Sequence, residues 1–439
     1  MKILFILPEY YPHSGGGIST YYLQYIKALK AYGHSIKVIV GSGYTQTNES
    51  FNIDGVEVEY LKPLAYQRHL KLFSKYDLFP EFRNNLAAAW AMWEQAGQTD
   101  AFDIIECTDF GLGFIPWVLK YSKPVVVRLH GSSGQIALHE STNNQPLGMH
   151  LFQSAELALL PLADALISHS TANADFWNGL FNKKKVAVIY PVYQTEIKPI
   201  PLASRDNFGL VTARIQKWKG AEQLCKAVQL IKKPPLIKWF GRDMHFKDKQ
   251  TTSQYLSINY PQIYNKNVLF EKPVLQDQAT LLQRKAKFGI VPSTWDMFNF
   301  TVLEFMASGT TVICSEGVGA SELIEHEKNG FKYPADDVEA LALLIEKVNA
   351  LDQADYSAIV DNAINTLRTK LAPEMIIKLN AELYKATITG FTKKPANSYL
   401  ETIYSPDEHR FDIDEILDKQ PFATLKNYFL KRIKAKLYK

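Results

Sequence analysis

Short apolar runs recur along the chain, each followed by a stretch with helical spacing of its apolar positions: Ile3 to Leu7, Ile36 to Val40, Ile104 to Ile105, Val125 to Leu129, Ala165 to Ile167 and Val186 to Ile189. Parallel strands covered by helices on both faces read as continuous apolar runs, so this alternation predicts a doubly wound α/β sheet. A second series follows the proline-rich stretch from Pro191 to Pro201: Phe208 to Thr212, Ile237 to Phe240, Val268 to Phe270, Phe288 to Val291 and Thr311 to Cys314. It predicts a second sheet of the same kind, with the boundary near Pro199 to Asp206 and a ligand cleft between the halves. The aromatic and basic segment from Leu61 to Gly97 has helical spacing and suits core packing better than an acceptor pocket. After about Thr392 the character changes. The tail opens loop-like through Ser405 and ends in a helix whose Phe422, Leu425, Phe429, Ile433 and Leu437 form an apolar stripe among Lys426, Lys431, Arg432, Lys434, Lys436 and Lys439. Such a helix suits an anionic membrane surface, its own protein or a partner chain.

Composition narrows the class. A chain of 439 residues exceeds the size at which one core keeps growing. Its 46% hydrophobic and 21% charged residues fit a soluble globular protein. The formal charge of +4 is too small to argue for nucleic acid as a partner. Cys107, Cys225 and Cys314 are scattered and odd in number, which excludes a disulfide framework or zinc knuckle and implies a reducing compartment. MKILFILP is too short for a signal-peptide core, and no apolar run reaches spanning length. The expected location is cytoplasmic, either free or peripheral on the inner face of the cytoplasmic membrane.

The chemistry concentrates in Val291 to Gly309, VPSTWDMFNFTVLEFMASG. A strand exits at Pro292, a polar and aromatic loop follows, and a helix starts near Thr301. Asp296 in the loop and Glu304 in the helix can face one cavity at the carboxyl edge of a sheet, where open α/β folds bind ligands. The free amides of Phe300 to Leu303 would favour an anion there. An anion between two hydroxyl-binding carboxylates describes a sugar nucleotide. In the same half, Arg214 and Lys219 flank a strand-to-helix loop and can neutralise a leaving diphosphate. In the first half, His130 closes the strand Val125 to Leu129. The loop PEYYPHSGGGI after the first strand lets the backbone approach a ligand closely. That loop is too long for a dinucleotide-binding glycine turn, and the second strand ends without an acid for an adenosine ribose, so a dehydrogenase is rejected. Asp412 and Asp414 imitate the metal-binding Asp-x-Asp of another transferase fold but lie in the tail and read as incidental.

Taken together these residues resemble glycosyltransferase family 4, retaining enzymes of the GT-B fold, over most of residues 1–390. The matching positions are Gly16 and Gly17 after the first strand, His130 at a strand end, Arg214 and Lys219, Pro292 and Ser293 before the acidic motif, Glu304, and the later Gly319, Glu322, Asn329 and Gly330. Two positions depart from the family pattern: Asp296 replaces the usual Glu, and Asn299 the usual Gly. The resemblance implies two Rossmann-like domains, residues 1–200 on the acceptor side and 201–375 on the nucleotide-sugar side. A helix over 376–390 would cross back, and the tail would occupy 391–439. It implies a hexosyltransferase using a UDP- or GDP-linked sugar, with no cofactor, no metal and no protein nucleophile. His130, Asp296, Arg214 and Lys219 would act at the reacting centre. Gly16, Gly17, Phe298, Asn299, Phe300, Thr301, Val302 and Glu304 would hold the donor. The acceptor would be a glycan or lipid-linked hydroxyl in surface polysaccharide or glycolipid biosynthesis. An epimerase, a phosphorylase and a non-catalytic sugar-nucleotide-binding subunit remain alternatives on the same scaffold.

Overall fold

Every apolar run named above forms a strand in the computed structural model, which describes residues 1–12, 16–97, 99–140, 147–181, 185–194, 199–247, 250–395, 397–408 and 413–437. Gly15, Asp412 and Lys439 lie outside the described residues. The first half contains β1 (Lys2–Leu7), β2 (Ser35–Val40), β3 (Ser50–Ile53), β4 (Val56–Tyr60), β5 (Ile104–Thr108), β6 (Val125–Leu129), β7 (Ala165–Ser168) and β8 (Val186–Val188). They form an eight-stranded sheet in the order β3-β4-β2-β1-β5-β6-β7-β8, parallel except for β3. The second half contains β9 (Asp206–Thr212), β10 (Ile237–Phe240), a hairpin of β11 (His245–Lys247) and β12 (Gln250–Thr251), β13 (Val268–Glu271), β14 (Ala286–Val291), β15 (Val312–Ser315) and β16 (Phe331–Tyr333). Its six-stranded sheet has the order β13-β10-β9-β14-β15-β16. All of its strand pairs are parallel.

Strand order places the sites. In each sheet the winding reverses beside the first strand, between β1 and β5 and between β9 and β14, and such switch points open a crevice at the carboxyl ends of the strands. The loops leaving β1, β5, β9 and β14 carry Gly16, Asp109, Arg214 and Asp296 respectively.

The β3–β4 hairpin was not anticipated from the apolar runs. Its signal is local: Asp54 and Gly55 both have positive φ, 51° and 79°, and join Ile53 to Val56 as a two-residue turn. The aromatic segment forms the helices Pro63–Leu72 and Pro80–Ala96, with Phe73, Phe82 and Trp90 in the main core of the first half. The tail differs from expectation. Instead of an open loop through Ser405, Ser398–Tyr404 is a helix with Tyr404 in that same core. Trp90 Nε1 donates to the Tyr404 carbonyl at 2.8 Å. Tyr76 Oη donates to the Ile403 carbonyl at 2.7 Å.

The helix Pro373–Gly390 returns from the second half and packs its Ile376, Ile377 and Tyr384 on the first sheet. Beneath it lies a fully buried ion pair. Arg128 Nε and Nη2 reach Glu106 at 2.7 and 3.0 Å, and Nη2 also donates to Asn380 Oδ1 at 2.7 Å. Tyr22 donates to Glu106 Oε1 at 2.8 Å, and Tyr384 donates to Oε2. Burial pulls the Arg128 pKa down, but Glu106 and the neighbouring tyrosines outweigh it and hold the guanidinium charged. Breaking such a pair leaves an uncompensated buried charge. Glu106→Ala is therefore expected to cost ~3–5 kcal/mol of stability. Tyr384→Phe, which removes one hydrogen bond to the carboxylate, should cost ~1.5–3 kcal/mol. Urea unfolding of each variant against the parent measures both.

Candidate active site

The second half contributes a charged rim. Arg214 and Lys219 lie between β9 and the helix Ala221–Leu230. Arg214 is exposed, with its guanidinium 5.6 Å from the Trp218 ring centroid. Gly220 closes this turn at φ 82°, where a Cβ would stand 1.8 Å from the Pro292 carbonyl, so the Lys219 loop presses directly against the exit of β14. Lys219 Nζ meets Asp296 Oδ2 at 2.5 Å and lies 4.0 Å from the Trp218 ring centroid. Burial lowers the Lys219 pKa against the opposing pull of Asp296. The structure thus joins two predicted site residues as a pair, with Arg214 beside them.

Asn299 stands at φ 72° and its Oδ1 accepts from the Thr301 amide at 3.1 Å. A left-handed position explains why Asn can stand where the family pattern has Gly. It also corrects the expectation of free amides from Phe300 to Leu303. Thr301 N–H is taken by the Asn299 side chain, and Val302 N–H points to the Asn299 carbonyl at 3.4 Å. The side chains of Phe298 and Val302 are fully buried in the second core, so a donor contact at either would come from the backbone. Glu304 accepts from Gln283 at 2.9 Å and from Gln276 at 3.1 Å, and burial raises its pKa despite these donors.

Across the cleft, His130 N–H donates to Asp109 Oδ1 at 2.8 Å. Burial pushes the Asp109 pKa up to about 7 against the amides that bond it. Gly131 follows at φ 97°, turning the chain so that a Cβ there would sit 3.6 Å from Met297 Cγ of the other half. His130 is consequently a near neighbour of the Asp296 loop. Its ring is buried, and neither Nδ1 nor Nε2 has a hydrogen-bond partner among the described residues. Burial first, then His169 and Arg128, hold its pKa well below the usual imidazole range. Gly16 caps the helix Gly17–Ala31 and lies against the Glu9 carboxylate, which accepts from Ser19 N at 3.2 Å. Part of that helix terminus is therefore occupied by the chain's own acid, while Gly17 faces open space.

His169 and Tyr21 were missed. Their rings lie 5.0 Å from His130 and 4.5 Å from each other. His169 Nδ1 faces the Ile189 carbonyl at 3.1 Å, and a carbonyl only accepts, so Nδ1 carries the proton and Nε2 the lone pair. His169 Nε2 and Tyr21 Oη, like both nitrogens of His130, are buried without a partner among the described residues. Buried polar atoms are rarely left so, and four on three adjacent rings mark a place prepared for a polar ligand or bound water. His169 ends β7 as His130 ends β6, so the strand-end signal used for His130 was present for it too. Tyr21 carried no such signal.

The halves touch on both sides of this cluster. Ser170 Oγ donates to the Met297 carbonyl at 2.6 Å. Glu322 accepts from the Thr171 and Ala172 amides at 3.0 and 2.9 Å, capping a first-half helix. On the other side the His139 and Trp295 rings stack at 4.0 Å, and Gln216 donates to Glu140 at 3.0 Å. Among the described residues no cluster of three or more His, Cys, Asp or Glu side chains could hold a metal ion.

Two families match successive parts of the chain: "Glycosyl transferase 4-like domain" over residues 16–191 and "Glycosyl transferases group 1" over residues 192–366. An uncharacterised glycosyltransferase of Methanocaldococcus jannaschii is 24% identical over 414 residues, covering 88% of this chain and 98% of the relative. Among solved structures, sucrose-phosphate synthase from Thermosynechococcus elongatus superposes with a TM-score of 0.67 at 20% identity, covering 89% of this chain and all of that one (100%). The Anabaena protein HepE, solved in complex with UDP-glucose, gives 0.59 at 19% identity, covering 88% and 100%.

The buried histidines carry a pH signature. Burial lowers the His169 pKa to about 3, helped by Arg128. A group depressed in the folded state gives stability above its unfolded pKa that is lost as pH falls toward the folded value. Between pH 7 and 5 the unfolded chain takes up this proton and the folded one does not, a difference of about 2 kcal/mol. His169→Asn, which keeps a donor for Ile189, is expected to flatten the fall in stability over that window, measured by urea unfolding at each pH.

Proposed function

This chain belongs to the family 4-like glycosyltransferases of the GT-B fold, and from that premise we propose that it transfers a hexose with retention from a nucleotide-diphosphate donor to a hydroxyl of a glycan or lipid-linked acceptor. The observation that carries the reading is the opposition, across one crevice, of unpartnered neutral His130 nitrogens and the Arg214, Lys219 and Asp296 group. Glu304 would hold the nucleotide ribose. Arg214 and Lys219 would neutralise the diphosphate, and Asp296 and His130 would bind hydroxyls of the sugar. The bond from the anomeric carbon to the diphosphate breaks as the bond to the acceptor oxygen forms on the same face. The acceptor proton passes to the leaving phosphate oxygen, giving the glycoside and the nucleoside diphosphate. No residue is asked to act as nucleophile, and side-chain cations take the place a metal would fill. HepE's complexes with UDP and UDP-glucose support a UDP-linked donor. Surface polysaccharide or glycolipid synthesis is the setting we propose for it.

Arg214→Ala and Glu304→Ala, each with an unchanged melting temperature, are expected to lower transfer by roughly 10²-fold or more. Full activity in both would overturn the assignment. Proton NMR of the product should give the anomeric configuration of the donor, and excess EDTA should leave the rate unchanged. Inversion would refute retention, and loss of activity restored by a divalent cation would refute metal independence. Sugar-nucleotide turnover that needs no acceptor, or that needs inorganic phosphate, would point instead to an epimerase or a phosphorylase.

A further inference from the structure

The helix Phe422–Leu437 buries none of its residues. Phe422, Phe429, Ile433 and Leu437 are 79%, 67%, 52% and 76% exposed. Lys426, Lys431, Arg432, Lys434 and Lys436 accompany them, and no Asp or Glu lies between Pro421 and the end of the chain. Lys426 sits near one end of the stripe and Lys436 near the other, where a four-carbon stem can lie along apolar surface while its ammonium reaches outward. A partner for this helix must be apolar and anionic in one plane. A second copy of the same helix fails that requirement, because its cations would face these. A bilayer with anionic headgroups meets it.

The segment that leads toward this helix is fixed, as far as Asp407, on the first half of the molecule. Besides the Trp90 and Tyr76 bonds, Lys75 Nζ donates to the carbonyls of Thr402 and Ser405 at 2.9 Å, Asp407 N donates to the Leu72 carbonyl at 2.8 Å, and Lys120 pairs with Glu401 at 2.9 Å. The strap holds the base of the tail against the helices Pro63–Leu72 and Pro80–Ala96, where Leu64 and Leu78 are themselves exposed. Among the described residues no helix is long and apolar enough to cross a membrane, so contact through this element is contact with a surface.

We propose that Phe422–Leu437 lies in the headgroup layer of an anionic bilayer and that the strap thereby presents the first half, not the second, to that surface. The inference does not depend on the transfer chemistry, since vesicle binding is read without donor or acceptor. The full chain, a chain ending at Lys419 and the double variant Phe429→Glu with Ile433→Glu are sedimented with vesicles of phosphatidylcholine, alone or mixed with phosphatidylglycerol. The full chain is expected to bind the mixed vesicles only, with binding weakened by added salt. Both altered chains should lose ~10-fold or more in apparent affinity at unchanged melting temperature. Equal binding by the shortened chain, equal binding to neutral vesicles, or no binding by the full chain would each overturn the proposal. So would light scattering showing a lipid-free dimer that the truncation converts to monomer.

Discussion

A fully buried Glu106–Arg128 pair is the constraint on which the rest of the first half is arranged. Neither ion touches water, so each must find its partners within the fold, and those partners come from three segments distant in sequence: Tyr22 of the first helix, Glu106 of β5, and Asn380 and Tyr384 of the returning helix. The pair therefore stitches the returning helix Pro373–Gly390 to the first helix and to β5. Apolar side chains of similar volume could hold the same elements together as firmly. What they could not supply is the field. Arg128 is two residues from His130, its guanidinium lies 5.3 Å from the Tyr21 ring centroid, and its charge helps keep both His130 and His169 neutral.

That neutrality distinguishes one side of the cleft from the other. The first half offers imidazole nitrogens and a phenol without charge, suited to sugar hydroxyls. The second offers Arg214 and Lys219, suited to phosphate. Contacts between the halves are both polar and aromatic: Glu322 on a helix terminus, Ser170 on the Met297 carbonyl, the His139–Trp295 stack, and Phe298 and Phe300 beside the rings of His169 and Tyr21. The polar contacts exchange with water at little cost, while the aromatic ones pack the Asp296 loop against the histidine cluster.

Much of this was legible in residue order because parallel strands announce themselves as apolar runs and strand ends announce sites. His130, Arg214, Lys219 and Asp296 were found that way, and the structure brings the last two into contact. The β3–β4 hairpin was passed over because its strands are short and half polar, although Asp54-Gly55 was a sufficient signal. Phe298 and Val302 were named at the donor from the motif and its helix amides, and what the sequence did not reveal is that both side chains turn into the core. The Ser398–Tyr404 strap was illegible for another reason: its carbonyls accept hydrogen bonds donated by Trp90, Tyr76 and Lys75, partners some three hundred residues away.

The two departures from the family pattern bear differently on the donor. Asn299 is accommodated, since its left-handed backbone angle is one that Asn tolerates and its side chain satisfies the Thr301 amide. Asp296 is a different matter. One methylene shorter than Glu, it stays within reach of Lys219, and the two are closely paired and largely buried. Any hydroxyl that binds Asp296 must share it with the Lys219 ammonium, which also lies 4.0 Å from the Trp218 ring centroid. If Lys219 meets the diphosphate and Asp296 the sugar, as proposed, phosphate charge and sugar hydroxyl would have to engage the pair together. A nucleoside diphosphate without its sugar would then supply only one of the two, which would couple recognition of the sugar to neutralisation of the leaving group through a single ion pair.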